Sequence, residues 1–282
     1  LKSGLLKAQY LSTFKFCLFY ESQIVIDSAL NATINPDQNF TRIFIEDMNH
    51  AKREYFDNPS YLKIDGVPVL FIYNLPYIYD KLGNETQNLF RILKRQLDIY
   101  LVADVGNNPE PLAANSSLWS ILESTNATTS YFFAHSKISE GWLNTTKYAR
   151  TYYPEWRSIM NSKGIKYIPN TYPGYDNTEY CTWKKGYSAP NVLPLNKTMF
   201  EEMLKIACDN ADKNLKMVMI TSWNEWLEST SIETSMEFGE DFLHVIPEFP
   251  TIFILPLSIV LTIIASTELC AKKRRLIKTQ IY

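Results

Sequence analysis

Six short apolar runs recur along the chain, at 15–20, 67–73, 99–105, 129–133, 166–170 and 217–221, each followed by a more polar stretch. Runs of this length, apolar at nearly every position, are the signature of strands buried on both faces. Between them the hydrophobic spacing changes to a helical period, which predicts helices over 41–56, 85–97, 155–163 and 198–212. The second is the clearest: Asn84 stands where an N-cap belongs, and Leu89, Ile92, Leu93 and Leu97 share a face. Apolar run, loop and amphipathic helix in alternation give the βα rhythm of a parallel α/β fold. Two stretches interrupt it, 107–124 and 174–195, both rich in Pro, Gly and Asn. They are long for plain connectors and read as candidate walls of a site.

The last run ends in the most informative block of the chain. Residues 220–233 read Ile-Thr-Ser-Trp-Asn-Glu-Trp-Leu-Glu-Ser-Thr-Ser-Ile-Glu. A buried parallel strand that opens at its carboxyl end into packed polar and aromatic residues is forming a site. Glu225 and Glu228, three residues apart and flanked by Trp223 and Trp226, are suited to acid/base work on a sugar. The competing reading is a surface turn with solvated Glu residues and two core Trp.

This block is similar to the signature of glycoside hydrolase family 99, the endo-α-mannosidases, and of the related WbsX-like glycan-processing proteins. Weaker likenesses follow in the same order. Phe-Cys-Leu-Phe-Tyr-Glu, ending at Glu21, resembles an earlier strand of that family, and Asp-Gly-Val-Pro-Val-Leu-Phe-Ile-Tyr, ending at Tyr73, resembles the next. Pro-Gly-Tyr-Asp-Asn-Thr, ending at Thr178, is close to the family's Pro-Gly-Tyr-x-Asp-Thr. The resemblance runs from about Phe16 to Leu243. It implies a (β/α)8 TIM-type barrel, of which six strands are visible and about the first two are lacking. It also implies a retaining mechanism, with Glu225 as the base that deprotonates the sugar's own 2-hydroxyl and Glu228 as the general acid/base. Trp223 and Asn224 would orient them, with Glu233 in support. This chain departs from the family at Leu227 and Ser229, where the longer form has His and Gly. It departs again after Thr178, where Tyr180, Trp183 and Lys184 replace an expected Arg.

In such a barrel the residues closing each strand converge on one mouth. The substrate-binding set is then Glu21, Tyr73, Tyr131, Tyr175, Asp176, Trp223, Asn224, Trp226 and Glu233. Several have a structural alternative. Glu21 reads equally as a helix cap and Asp176 as an Asx-turn residue, while Tyr73 and Tyr131 could be core. Asp104 is a buried-looking acid at a strand end that needs a partner wherever it sits.

Composition narrows the partners. Net charge is -2 over 282 residues with no basic cluster in the body, which argues against nucleic acid. The 3 His are scattered without metal-ligand spacing, so neither a metal nor another cofactor is called for. The 4 Cys are too few for a disulfide framework, although Cys181 and Cys208 are a candidate pair. The substrate expected is a polysaccharide or an N-glycan. A non-catalytic carbohydrate-binding envelope protein and a WbsX-like glycan-assembly enzyme are the alternatives.

The C-terminus points to a membrane. Residues 251–271 are almost wholly apolar, long enough at ~1.5 Å per residue to span a bilayer. Lys272, Lys273, Arg274 and Arg275 follow and should stay cytoplasmic. The organisation expected is a partial barrel over 1–244, a linker over 245–250, a transmembrane helix over 251–271 and a basic cytoplasmic tail over 272–282. That topology places a single-pass protein in the cell membrane with its catalytic body outside. Val-Ile-Pro-Glu-Phe-Pro-Thr, from Val245, resembles the sorting tail of archaeal surface proteins. Seven Asn-x-Ser/Thr sequons, at Asn31, Asn39, Asn84, Asn115, Asn126, Asn144 and Asn196, fit an exported glycoprotein, since composition alone gives about three. The chain begins Leu1-Lys2-Ser3, without Met or a signal peptide, so an upstream segment is expected.

Overall fold

The computed structural model describes residues 5–7, 11–30, 40–183 and 190–246, and the backbone of 253–256 and 261–262. In chain order its main elements are β1 (Leu18–Tyr20), α1 (Ser22–Leu30), α2 (Phe40–Ala51), β2 (Lys63–Ile64), β3 (Val67–Ile72), α3 (Leu75–Leu82), α4 (Glu85–Leu97) and β4 (Tyr100–Asp104). Then come α5 (Leu118–Leu122), β5 (Ala127–Thr129), α6 (Trp142–Ser162), β6 (Lys166–Ile168), β7 (Asn170–Thr171) and β8 (Tyr175–Asp176). The series closes with α7 (Thr178–Trp183), β9 (Val192–Leu193), α8 (Lys197–Asn210), β10 (Met217–Ile220), β11 (Phe253–Pro256) and β12 (Leu261–Thr262). The parallel α/β fold expected from the apolar rhythm is present. The chain divides into two compact units, Leu1–Val102 with Val260–Tyr282, and Ala103–Ile259, so the chain passes from one to the other within β4.

In the first unit β1 pairs in parallel with β3 on one side and β12 on the other. β2 folds back on β3 through Asp65 and Gly66, both at positive φ (52° and 81°), which is the Asp-Gly hairpin turn that matches strand twist. β1 and the last four residues of β3 are fully buried, as their unbroken apolar character requires. Helix α3 starts where the Asn74 side chain accepts from the Tyr77 N–H and stops at Gly83. Helix α4 buries Leu89, Phe90, Leu93 and Leu97, each such side chain contributing about 1.5–3 kcal/mol when fully removed from water.

In the second unit β5 and β6 run parallel, as do β7, β10 and β11, with β10 in the middle. β8 and β9 form a small antiparallel pair. Helix α6 is far longer than the 155–163 expected. Pro154 reads as a helix start in the sequence, yet it sits inside a helix that begins at Trp142. The reason is the buried stripe Thr145, Ala149, Tyr153, Trp156 and Met160, whose packing outweighs the one hydrogen bond a proline removes. Trp156 lies flat on Tyr167 of β6 (5.9 Å, 8°) and donates to the Pro109 carbonyl at 2.9 Å.

Cys181 and Cys208 do not pair: Cys17, Cys181 and Cys208 are all free thiols. Cys181 sits on α7 and Cys208 in the last turn of α8, separate helices with no bond between the sulfurs. No helix among the described residues is long and apolar enough to cross a membrane. Of the transmembrane helix expected over 251–271, the described backbone of 253–256 and 261–262 is instead strand, paired with β10 and β1, and the rest lies outside the described residues.

Candidate active site

β10 delivers the carboxylates. Its residues Met217 to Ile220 are fully buried, and the chain leaves the strand through Thr221 and Ser222, joined by a cis peptide bond. From there residues 222–233 close on themselves. Ser222 donates its N–H to the Thr230 carbonyl at 2.9 Å, and the two hydroxyls meet at 2.8 Å. The Ser222 hydroxyl also accepts from the Glu225 N–H at 2.9 Å. The Trp223 carbonyl accepts from three donors: the Ile232 N–H (3.1 Å), the Glu233 N–H (3.0 Å) and the Ser231 hydroxyl (2.8 Å). Between these ties Trp226–Glu228 forms one 3-10 turn, ended by Ser229 at φ 51°. Both Glu225 and Glu228 are half-buried on this loop.

Their electrostatics separate them. Burial pushes the Glu225 carboxyl up from its ordinary range. Burial, and then the negative charge of Glu225, push Glu228 up to about 7. Glu228 is therefore the member of the pair raised further, to about 7, because two neighbouring carboxylates resist carrying both charges.

The other strand ends of this unit are tied to the same place. Thr221 takes a hydrogen bond from the Asn170 side chain at 2.9 Å and donates its hydroxyl to the Tyr131 carbonyl. Asp104 finds the partners its burial demands in the N–H groups of Gly106 (3.1 Å) and Tyr131 (2.9 Å). Tyr131 itself is half-buried against a cluster of Phe132, Ile138, Tyr172, Tyr175 and Leu193. Tyr175, expected to face the cleft, is 4% exposed, its ring edge-on to Phe132 and to His135. It supports the wall more than it presents a face. Asp176 takes the Asx-turn role: its carboxylate accepts from the Thr178 N–H at 2.9 Å, opening α7. Gly174, just before, is obligatory for another reason. A Cβ there would stand 2.7 Å from Leu195 Cα, so only glycine lets the loop pass.

β8 and α7 lie against the 3-10 turn that carries Glu228, so the Pro-Gly-Tyr-Asp segment and the carboxylate loop are neighbours. Asn224 and Trp226 are exposed, while Trp223 and Glu233 are partly covered. Glu21 and Tyr73 belong to the first unit, at the adjacent ends of β1 and β3. The Glu21 carboxylate accepts from the Gln23 N–H at 3.2 Å, the helix-cap role. Tyr73 donates its N–H to the Tyr20 carbonyl at 3.1 Å and accepts at its own carbonyl from the Ser22 hydroxyl. Ser222, Thr230, Thr221 and Asn170 were not expected in the site; as small polar residues they leave no periodic signal in a sequence. Among the described residues no group of His, Cys, Asp or Glu is arranged to hold a metal ion.

The sequence pattern described as "Glycosyltransferase WbsX" matches residues 15–246 of this chain. The chain belongs to the WbsX family. Among solved structures, this WbsX member is similar to a protein described as "Glycoside hydrolase-like protein", at 18% identity and a TM-score of 0.64. That match covers 86% of this chain and 72% of the other, and at such identity it is a likeness of fold. Two structures of the GH99 endo-alpha-mannosidase from Bacteroides thetaiotaomicron are also similar, each with a TM-score of 0.49. One is 20% identical and covers 72% of this chain and 54% of the other; the second, in complex with bis-tris propane, is 18% identical and covers 74% and 62%. No curated protein matches.

Proposed function

We propose that this WbsX member is a retaining glycoside hydrolase that cuts internal α-mannosidic or similar α-glycosidic bonds in a polysaccharide or N-glycan. The observation that carries the reading is the carboxylate pair on one hydrogen-bonded loop, with Glu228 raised to about 7 and Glu225 beside it. Glu225, as the anion, takes the proton of the sugar's 2-hydroxyl, and that oxygen attacks the anomeric carbon of the same sugar as the glycosidic bond breaks. Glu228, protonated, gives its proton to the departing glycosidic oxygen. The resulting 1,2-anhydro sugar is opened by water, whose proton goes back to Glu228, while Glu225 returns its proton to the 2-oxygen. Every proton is restored and no cofactor is needed. In the family's architecture the strand ends of a (β/α)8 barrel gather this pair with its neighbours.

The family's name favours a second reading, transfer to an acceptor hydroxyl in place of water. The two share the first half of the reaction and differ in what opens the intermediate. Incubating the full-length protein with a panel of α-linked glycans separates them. Free reducing ends are the expected product; a lengthened acceptor would mean transfer. No product of either kind from folded protein would sink both.

We also propose that the body lies outside the cell, anchored by 251–271, on the strength of that apolar stretch and the basic residues 272–275. Protease added to intact cells should digest the body and spare a small C-terminal piece. Full protection of the chain would reverse this topology.

A further inference from the structure

Helix α7 carries an aromatic pair, Tyr180 and Trp183, that is not fully buried. Trp183 is 73% exposed, and its ring centroid stands 6.2 Å from that of the half-buried Tyr180, tilted by 50°. On the adjoining 3-10 turn Trp226 is 51% exposed. Several other large aromatics of the described residues are out of water: Trp156, Tyr153, Tyr167 and Tyr172 are all buried. Leaving an indole in solvent forgoes a sizeable hydrophobic gain, and one left beside the carboxylate loop is placed to contact what that loop binds.

The surroundings say which kind. Thr178, Glu179, Thr182 and Asn224 are exposed polar residues of the same helix and loop, so along the chain the apolar positions, Leu227 beside Trp226 included, come as islands between polar ones. A protein partner or a second copy of the chain needs a continuous apolar centre. A pyranose suits islands: its C–H face is flat and apolar, its rim is all hydroxyl, and hydroxyls pair with exposed side chains. The position adds a constraint, since α7 lies against the turn bearing Glu228. A ring stacked there belongs to the same glycan that the carboxylates act on.

We propose that Trp183, with Tyr180 and Trp226, forms a stacking subsite for a further sugar residue of the glycan, outside the pair that reacts. The proposal rests on the glycan-cleaving reading above and adds what makes the enzyme favour extended substrates. It also gives a purpose to Tyr180 and Trp183, which replace the Arg expected after Pro-Gly-Tyr-Asp-Asn-Thr.

The test uses the full-length protein, an α-linked mannotetraose and three variants: Trp183→Ala, Trp183→Phe and, as a control on the exposed face of α6, Leu143→Ala. Trp183→Ala should raise KM about tenfold with kcat within about twofold, because the stacked ring binds alike before and during reaction. Trp183→Phe should recover most of the loss by keeping a flat face, and Leu143→Ala should match wild type. An unchanged KM in Trp183→Ala, with wild type active, removes the subsite and leaves the glycosidase reading standing. So does an equal loss in Leu143→Ala, or a loss that follows a change in sedimentation with protein concentration, which would assign the patch to self-association. If wild type turns nothing over, the glycosidase reading fails, and binding of the tetraose read by tryptophan fluorescence decides the subsite. Wild-type binding that Trp183→Ala abolishes upholds it; no wild-type binding overturns it.

Discussion

Glu228→Gln should lose on the order of 10²–10⁴-fold in rate on an ordinary oligosaccharide, the scale of a general acid's contribution. An aryl glycoside with a good leaving group should win back a large part of that loss, since its oxygen departs without a proton. Glu225→Gln should fall as far on both substrates, because no leaving group replaces a base acting at the 2-hydroxyl. The contrast follows from the loop's electrostatics: Glu228 is driven up to about 7 by burial and by Glu225, so it is the group that still holds a proton near neutrality. Single-turnover rates of both variants on paired substrates measure it. Equal rescue of the two would show that the roles are assigned wrongly, even in an enzyme that cuts glycans.

The same carboxyl should be visible in stability. Its pKa in the folded chain lies near 7, above the ordinary 4.5 it regains on unfolding, so the folded form binds the proton more tightly. Stability from this group is therefore fully present below about pH 4.5 and is lost as pH rises through about 7. Replacing Glu228 by the uncharged, isosteric Gln should leave unfolding at pH 4 nearly unchanged and stabilise the protein at pH 8. Each tenfold difference in proton affinity between the folded and unfolded chain is ~1.4 kcal/mol, so, allowing for the part of the side chain that meets water, the gain is about 2–3 kcal/mol. Chemical denaturation of both proteins at the two pH values reads it. A variant that is no more stable at pH 8 would mean that Glu228 ionises without penalty, and the acid role would lose its basis. Activity and stability thus move in opposite directions at one residue, as expected where a site keeps a group that the fold would prefer neutral.

Much of the fold was legible in the sequence, but unevenly. β10 and α4 were legible because their patterns have one reading: Met217 to Ile220 is uninterrupted, and Leu89, Leu93 and Leu97 keep a strict helical face. The front half of α6 was not, because Pro154 imitates a helix start and the stripe that overrides it is made of Thr, Ala and Tyr. Helix α7 lies in a stretch that composition marks as loop, and only the Asp176 cap shows where it begins. The Trp-Asn-Glu-Trp block revealed its acids, since carboxylates beside Trp are rare after a strand. It could not reveal that Tyr175 would turn inward, because a Tyr at a strand end has the same spacing whether it faces a ligand or the ring of Phe132. Glu21 and Asp176 show the same limit: each meets a backbone N–H two residues on, a role written in geometry alone.

The carboxylate loop is tied at its neck. Ser222 with Thr230, and the Trp223 carbonyl with its three donors, hold residues 222–233, while Trp226 and Leu227 at the tip stand 51% and 42% exposed. Leu227 takes no part in these ties, so its side chain can be replaced without loosening the neck. Substitutions at Leu227 should therefore leave the fold intact, and on the glycosidase reading they offer a route to a changed sugar preference.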